Sequence, residues 1–357
     1  MINKVSFTLV WLLLVFVLLS GCQTKKESGQ LSVYAGMYPD HAIKAMEQFQ
    51  RETGIQVNFI RMSNGDILDH LQNESEDPVA SVWYGGPADI FAQAKKEGLL
   101  YPYVSPNASF IPDKYKNENG YWTGIYVGVL SIVANRQWHV DRGLELPQTW
   151  KDLLREEYRN WISLPDPRSS GTGYLSLSLF TQLYGEKEGF EFLHELDKNV
   201  SEYTYSGNAN GRSVAMGDSA ISIMFAQDAI KLYKEGFRDI NVIFPKDQTA
   251  YEVGAVAIIE NAPDLEEAKI FVDWALTKQA QEIGKQVGNY QLLTHELANS
   301  PDEAIDPSSI PILEYDISQS GSSRKRLINR WEIEIFMNRM ALKFPDMERV
   351  DEDEANS

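Results

Sequence analysis

A single cysteine, Cys22, ends an apolar run near the start of a 357-residue chain, and no other thiol follows it. Once Cys22 is set aside, no disulfide can staple the fold and no cysteine cluster can hold zinc, so the rest of the chain must be held by a hydrophobic core. The run is VWLLLVFVLL, Val10 to Leu19, with one positive charge before it at Lys4 and Ser20-Gly21-Cys22 after it. A charge, a short apolar stretch and small residues, in that order, predict an export signal over residues 1–21. The stretch is too short to read as a membrane span.

Leu19-Ser20-Gly21-Cys22 resembles the bacterial lipobox, in which the cysteine is lipidated and becomes the mature N-terminus. The expectation is a chain anchored by Cys22 to the outer face of the cell membrane, on a polar tether over residues 22–30. More than three hundred residues remain, beyond what one core usually supports, which predicts two lobes. With 33 Lys and Arg against 51 Asp and Glu, the surface repels nucleic acid. The acidic stretch 346–357 reads as a disordered tail.

Periodicity divides the first hundred residues into alternating strands and helices. Leu31 to Tyr34 reads as a strand and His41 to Thr53 as a helix with Ala42, Ala45, Met46 and Phe49 on one face, stopped by Gly54. Ile55 to Arg61 alternates as a strand, Asp66 resumes helix, Ala80 to Trp83 is a strand, and Pro87 to Glu97 a helix closed by Gly98. Such repeats build α/β layers around a mostly parallel sheet, whose ligands sit at the carboxyl ends of the strands. That rule puts Tyr34, Gly36, Ser63, Asn64, Tyr84 and Gly86 on one rim.

Several segments in this order and spacing resemble the family 1 extracellular solute-binding proteins, in the branch that holds ferric-iron and phosphorylated-compound binders. They are Val33-Tyr34-Ala35-Gly36, Ser63-Asn64-Gly65, Val82-Trp83-Tyr84-Gly85-Gly86-Pro87-Ala88-Asp89, Pro165-Asp166-Pro167 with Ser169-Ser170-Gly171-Thr172-Gly173, and Gly254-Ala255-Val256-Ala257. The resemblance implies a two-lobed, type 2 periplasmic-binding fold with two crossing segments. Trp122 to Asn135 and Asn241 to Ile259 are the candidates for the crossings. The first lobe is then expected over 31–134 and 245–345, and an inserted lobe over 135–244. A closing helix from Arg324 to Phe344 should turn Leu327, Ile328, Trp331, Ile335 and Phe336 inward.

Arg168 to Gly173 precedes an apolar helix expected from Tyr174 to Leu183. A helix N-terminus there would offer unpaired N–H groups and about half a positive charge to an anion, with Ser169, Ser170, Gly171 and Thr172 around it. An ordinary Ser/Thr N-cap is the plain alternative, and the resemblance favours the anion site. Asn208, Asn210 and Arg212 supply donors suited to phosphate and hydroxyl groups, and Gln227 and Asp228 follow a buried strand as hydroxyl partners.

Enzyme motifs are missing: there is no G-x-S-x-G, no P-loop and no G-x-G-x-x-G after a strand. His194-Glu195 and His295-Glu296 lack the second histidine of H-E-x-x-H and read as surface helix residues. Trp83 and Trp122 are candidates to line the cleft. Iron binders of this branch pair adjacent tyrosines; none are adjacent here, and Tyr203 and Tyr205 would only share a strand face. No cofactor, metal or catalytic residue is expected. The expected function is capture of a small anionic solute, such as a sugar phosphate, phosphoglycerate or phosphonate, by a monomer that delivers it to an ABC permease. Reporting to the extracellular domain of a histidine kinase, and ferric-iron binding, are the alternatives.

Overall fold

The structure is a computed structural model that describes residues 29–343. The export signal, Cys22 and the acidic tail lie outside the described residues. Strand β1 (Gln30–Ala35) leads into helix α1 (Pro39–Thr53), whose buried face is His41, Ala42, Ala45, Met46 and Phe49. Gly54 ends it at φ +76°, where an L side chain would be strained. Strand β2 (Gln56–Arg61), helix α2 (Asn64–Asn73), strand β3 (Val82–Pro87) and helix α3 (Ala88–Lys96) follow, with β1 parallel to both β2 and β3.

The strand expected to stop at Trp83 instead runs on as β3 to Pro87, with both Gly85 and Gly86 at positive φ. Pairing with a neighbouring strand overrides the local turn preference there. That neighbour is β10 (Tyr251–Ile259), antiparallel to β3, and β10 also receives the short β4 (Leu100–Tyr101).

Strand β5 (Thr123–Asn135) belongs to two sheets. Its first half pairs with β10, and its second half pairs with β8 (Ile221–Phe225) and β9 (Ile240–Ile243). β6 (Ile162–Pro165) lies parallel between β8 and β7 (Val200–Thr204). The short β11 (Leu292–Leu293) joins the first half of β5. Each sheet is therefore mixed: β2, β1 and β3 run parallel in one and β8, β6 and β7 in the other, and the antiparallel pairs form around β5, which leaves the first lobe, and β10, which returns beside it.

Two hydrophobic cores flank the handover. Ile125 to Val127 and Val253 to Ile259 belong to one, and Leu130, Ile132, Ala134 and Ala250 to the other. The Leu130 N–H donates to the Ala250 carbonyl at 3.0 Å, so the ladder continues across the junction. The cores thus change owner at residues 129–130 and 250–251, inside the strand region and not at 134–135 and 244–245. The expected return run from Asn241 is broken by a loop between β9 and β10.

The closing helix starts earlier than expected, at Ile317, and runs to Trp331 as helix α8; a π-helical stretch, Glu332–Met337, continues it. Leu327, Trp331 and Ile335 are buried, and Ile328 and Phe336 are half-buried. They pack on the core of the second lobe, not the first, as the expected boundary of 245–345 required. The cause is a third crossing, where Thr249 donates to the Pro311 carbonyl and Leu313 donates back to Thr249. α8 also touches the first lobe through the buried pair Arg324 and Asp89, 3.9 Å apart.

Candidate functional site

A cleft lies between the lobes, lined at one end by hydroxyls and backbone and at the other by carboxyl and amide side chains. The first end is built on helix α4 (Gly171–Tyr184). Ser170 is its N-cap, accepting the Gly173 N–H at 3.3 Å on its hydroxyl. The Gly171 and Thr172 N–H groups lie in the helix's first turn, where no intrahelical acceptor exists. The Ser206-Gly207-Asn208 loop leans on this turn so closely that a Cβ at Gly207 would meet the Thr172 hydroxyl at 2.1 Å. Ser169 is tied to the same loop by donating to the Tyr205 carbonyl at 2.7 Å.

The first lobe faces that turn with Gly36, Ser63, Asn64 and Gly86. Asn64 donates to the Gly36 carbonyl and accepts from the Trp83 indole, each at 3.3 Å. A Cβ at Gly36 or Gly86 would fall 2.1 or 2.0 Å from the Asn64 side-chain oxygen, which is why glycine stands at both. Arg61 also lines this end, its Nε donating to the Met37 carbonyl at 3.1 Å. The combination of first-turn N–H groups, hydroxyls and a guanidinium suits an anion.

The opposite end holds Gln227 and Asp228, at the start of helix α6 (Ala226–Lys234), and Glu252 of β10. Gln227 donates to Glu252 at 3.5 Å. Burial pushes the Asp228 carboxyl up to about 7, with the Tyr38 hydroxyl and the Lys231 ammonium pulling the other way. Burial, and then the neighbouring Asp228, push Glu252 well above the usual carboxylate range. Two buried acids side by side resist double ionisation and favour a guest that donates hydrogen bonds to them.

Of the residues expected from sequence, the cleft brings together Gly36, Ser63, Asn64, Gly86, Ser169, Ser170, Gly171, Thr172, Asn208, Gln227 and Asp228. Four lie elsewhere. Tyr34 sits inside β1 and sends its hydroxyl to Glu74 at 2.8 Å, and Tyr84 is buried against Phe271 and His41. Both are strand residues whose side chains are buried away from the cleft, in the packing of the first lobe. Asn210 is buried, bonded to Ser222 and the Ser163 carbonyl, and Arg212 points to solvent, 3.9 Å from Glu235. They fall on the inner and outer faces of the short helix Ala209–Met216, which begins before them.

Trp83 and Trp122 are buried outside the lining, although Trp83 supports it through Asn64. His295 is not on a surface helix: it is buried in a turn, stacked on Phe110. Tyr203 donates to Asp197 and packs on Trp331, whereas Tyr205 lies past the end of β7 and donates to Asp66, so the two hydroxyls do not converge. The reading missed Tyr38, Arg61, Tyr126, Glu252 and Gln291. Glu252 was visible as the one charge in the apolar run Tyr251–Ile259; Tyr38 and Gln291, in loops, carried no such signal.

Residues 77–315 match the bacterial extracellular solute-binding proteins. An uncharacterized protein of Haemophilus influenzae is 35% identical over 342 residues, 93% of this chain and 98% of its own. The structure of the periplasmic binding protein AfuA from Actinobacillus pleuropneumoniae, with exogenous fructose-6-phosphate bound, superposes with a TM-score of 0.84 at 34% identity, covering 87% of this chain and 99% of that one. Iron-bound HitA from Pseudomonas aeruginosa shares the fold, with a TM-score of 0.76 at 19% identity over 85% of this chain and 99% of its own. The chain therefore belongs to the bacterial extracellular solute-binding proteins, a transport family, and acts outside the cytoplasm as the solute-binding component of an ABC importer.

Proposed function

We propose that the solute is a sugar phosphate, held by its phosphate at the first turn of α4 and by its hydroxyls at Asp228 and Glu252, in a receptor lipid-anchored through Cys22. The observation that carries this reading is the two-ended cleft. An anion at one end meets N–H groups, hydroxyls and Arg61, while the buried acids at the other end would repel a second anionic group and accept from hydroxyls. That polarity disfavours phosphoglycerate, whose carboxylate would face Asp228. The fructose-6-phosphate in the AfuA structure, a relative at 34% identity, supports the same class. A phenolate site for ferric iron is disfavoured because burial and nearby carboxylates hold Tyr38 and Tyr126 well above the usual phenol range.

Calorimetric titration tests the proposal. Glucose 6-phosphate or fructose 6-phosphate should bind, and the unphosphorylated hexoses should fail. Binding of 2-aminoethylphosphonate in preference, strengthening between pH 7 and 8.5 as an ammonium group displaces the proton of the acid pair, would move the assignment to aminophosphonates. A visible phenolate band with ferric citrate would overturn it altogether.

A further inference from the structure

The two lobes touch directly at the anion end of the cleft. Tyr205, from the second lobe, is 62% exposed, yet its hydroxyl donates to both carboxylate oxygens of Asp66 in the first lobe, at 2.5 and 2.6 Å. Asp66 lies in the first turn of α2, where its N–H caps onto the Ser63 hydroxyl at 3.2 Å, and Ser63 lines the cleft. On the other side, the Tyr205 carbonyl accepts from Ser169, and Ser206 to Asn208 follow directly in the chain; all four line the anion end. The fit is close: a Cβ on Gly65 would lie 2.7 Å from the Arg168 carbonyl across the gap.

A carboxylate at the entrance of an anion site is electrostatically adverse, so its position needs a compensating role. We infer that Tyr205 and Asp66 form a clasp that holds the lobes closed over the anion end and sets how slowly solute leaves. Tyr205 is a positioning residue in this role, because it acts through the loops it ties together. The opposite edge of the cleft is fastened by different chemistry. There Lys231 donates to the Val287 carbonyl at 3.4 Å and lies over the Tyr38 ring at 4.8 Å, and Lys234 pairs with Glu303 at 2.5 Å. Loss of the tyrosine hydroxyl therefore loosens one edge and leaves the other fastened.

The clasp rests on the sugar-phosphate reading only for its probe. In stopped-flow tryptophan fluorescence, Tyr205→Phe should speed glucose 6-phosphate release about five- to tenfold, with the association rate and the melting temperature of the ligand-free protein unchanged. In an Asp66→Ala background the same change should alter release less than about twofold, since the pair has already been broken. Unchanged release in the single variant, or equal effects in both backgrounds, would overturn the clasp. Spin labels at Glu47→Cys and Glu191→Cys, in the full chain carrying Cys22→Ser, give a readout that does not depend on solute identity. Tyr205→Phe should shift the inter-lobe distances toward the open form. If the wild type binds neither glucose 6-phosphate nor fructose 6-phosphate, the sugar-phosphate reading fails and these distances alone decide the clasp. If they too are unchanged, the clasp is wrong.

Discussion

Gly171→Ala adds a single methyl group, and its consequences for folding and for closure have opposite signs. Gly171 is the first residue of α4, at a negative φ that alanine adopts freely, and alanine is the better helix former by up to about 1 kcal/mol. Nothing in its own lobe opposes the substitution. Across the cleft, however, the new Cβ would stand 2.8 Å from Cγ and 2.9 Å from Cδ of Pro87, a rigid ring ending β3 in the first lobe. Ordinary carbon contacts lie at about 3.5 Å or more, so the lobes must stay roughly 0.7 Å further apart. A hydrogen bond of about 2.9 Å stretched by that amount passes the useful limit. Losing one such bond to a charged phosphate costs roughly 1.5–3 kcal/mol, or about ten- to a hundredfold in affinity. Calorimetric titration with glucose 6-phosphate beside thermal melts measures both effects. The expected variant melts at the same temperature or slightly higher and binds at least tenfold more weakly. Wild-type affinity would refute the claim that closure brings Gly171 against Pro87.

The two hydroxyls flanking Gly171 should separate. Ser170→Ala removes a cap and lowers stability by about 1 kcal/mol, whereas Thr172→Val, with no cap to lose, should weaken phosphate binding about tenfold at an unchanged melting temperature; the reverse pattern would disprove the assignment. Asp228, pushed up to about 7 in the folded state, retains a proton there that the unfolded chain releases near pH 4. Stability contributed by this group therefore falls as pH rises from about 4 to 7, by up to about 1.4 kcal/mol per unit. Asp228→Asn should raise the ligand-free melting temperature at pH 7.5 but not at pH 4, and weaken sugar-phosphate binding; equal shifts at both pH values would contradict this. Cys22→Ala should leave an unprocessed precursor or release the chain from membranes, and an unchanged mature mass in the membrane fraction would exclude the anchor.

Features set by local chemistry could be read from the sequence, and features set by distant pairing could not. Helix α1 was legible from its apolar stripe and Gly54, and the α4 turn from Ser169-Ser170-Gly171-Thr172 ahead of an apolar run. The persistence of β3 through two glycines was not, because β10, some 165 residues later, holds it extended. Tyr38 and Gln291 reach the cleft only because β1 ends and β11 begins where they do. Asn210 and Arg212 failed for a finer reason. The helix they sit on begins at Ala209, ahead of both, and its turn decides which side chains face inward.

A pivot made from paired strands behaves differently from one made of loops. Leu130 keeps its amide bonded to Ala250 in the ladder that runs through the junction, while β8 and β9 flank the same stretch of β5. Such a ladder bends like a leaf spring and resists sliding, so the two jaws return to the same register on every cycle. Amide protons at 129–135 should then stay slow to exchange while the jaws open and shut, and yield only to global unfolding. Protons on the Ser206 to Asn208 loop should exchange at the pace of the jaws themselves.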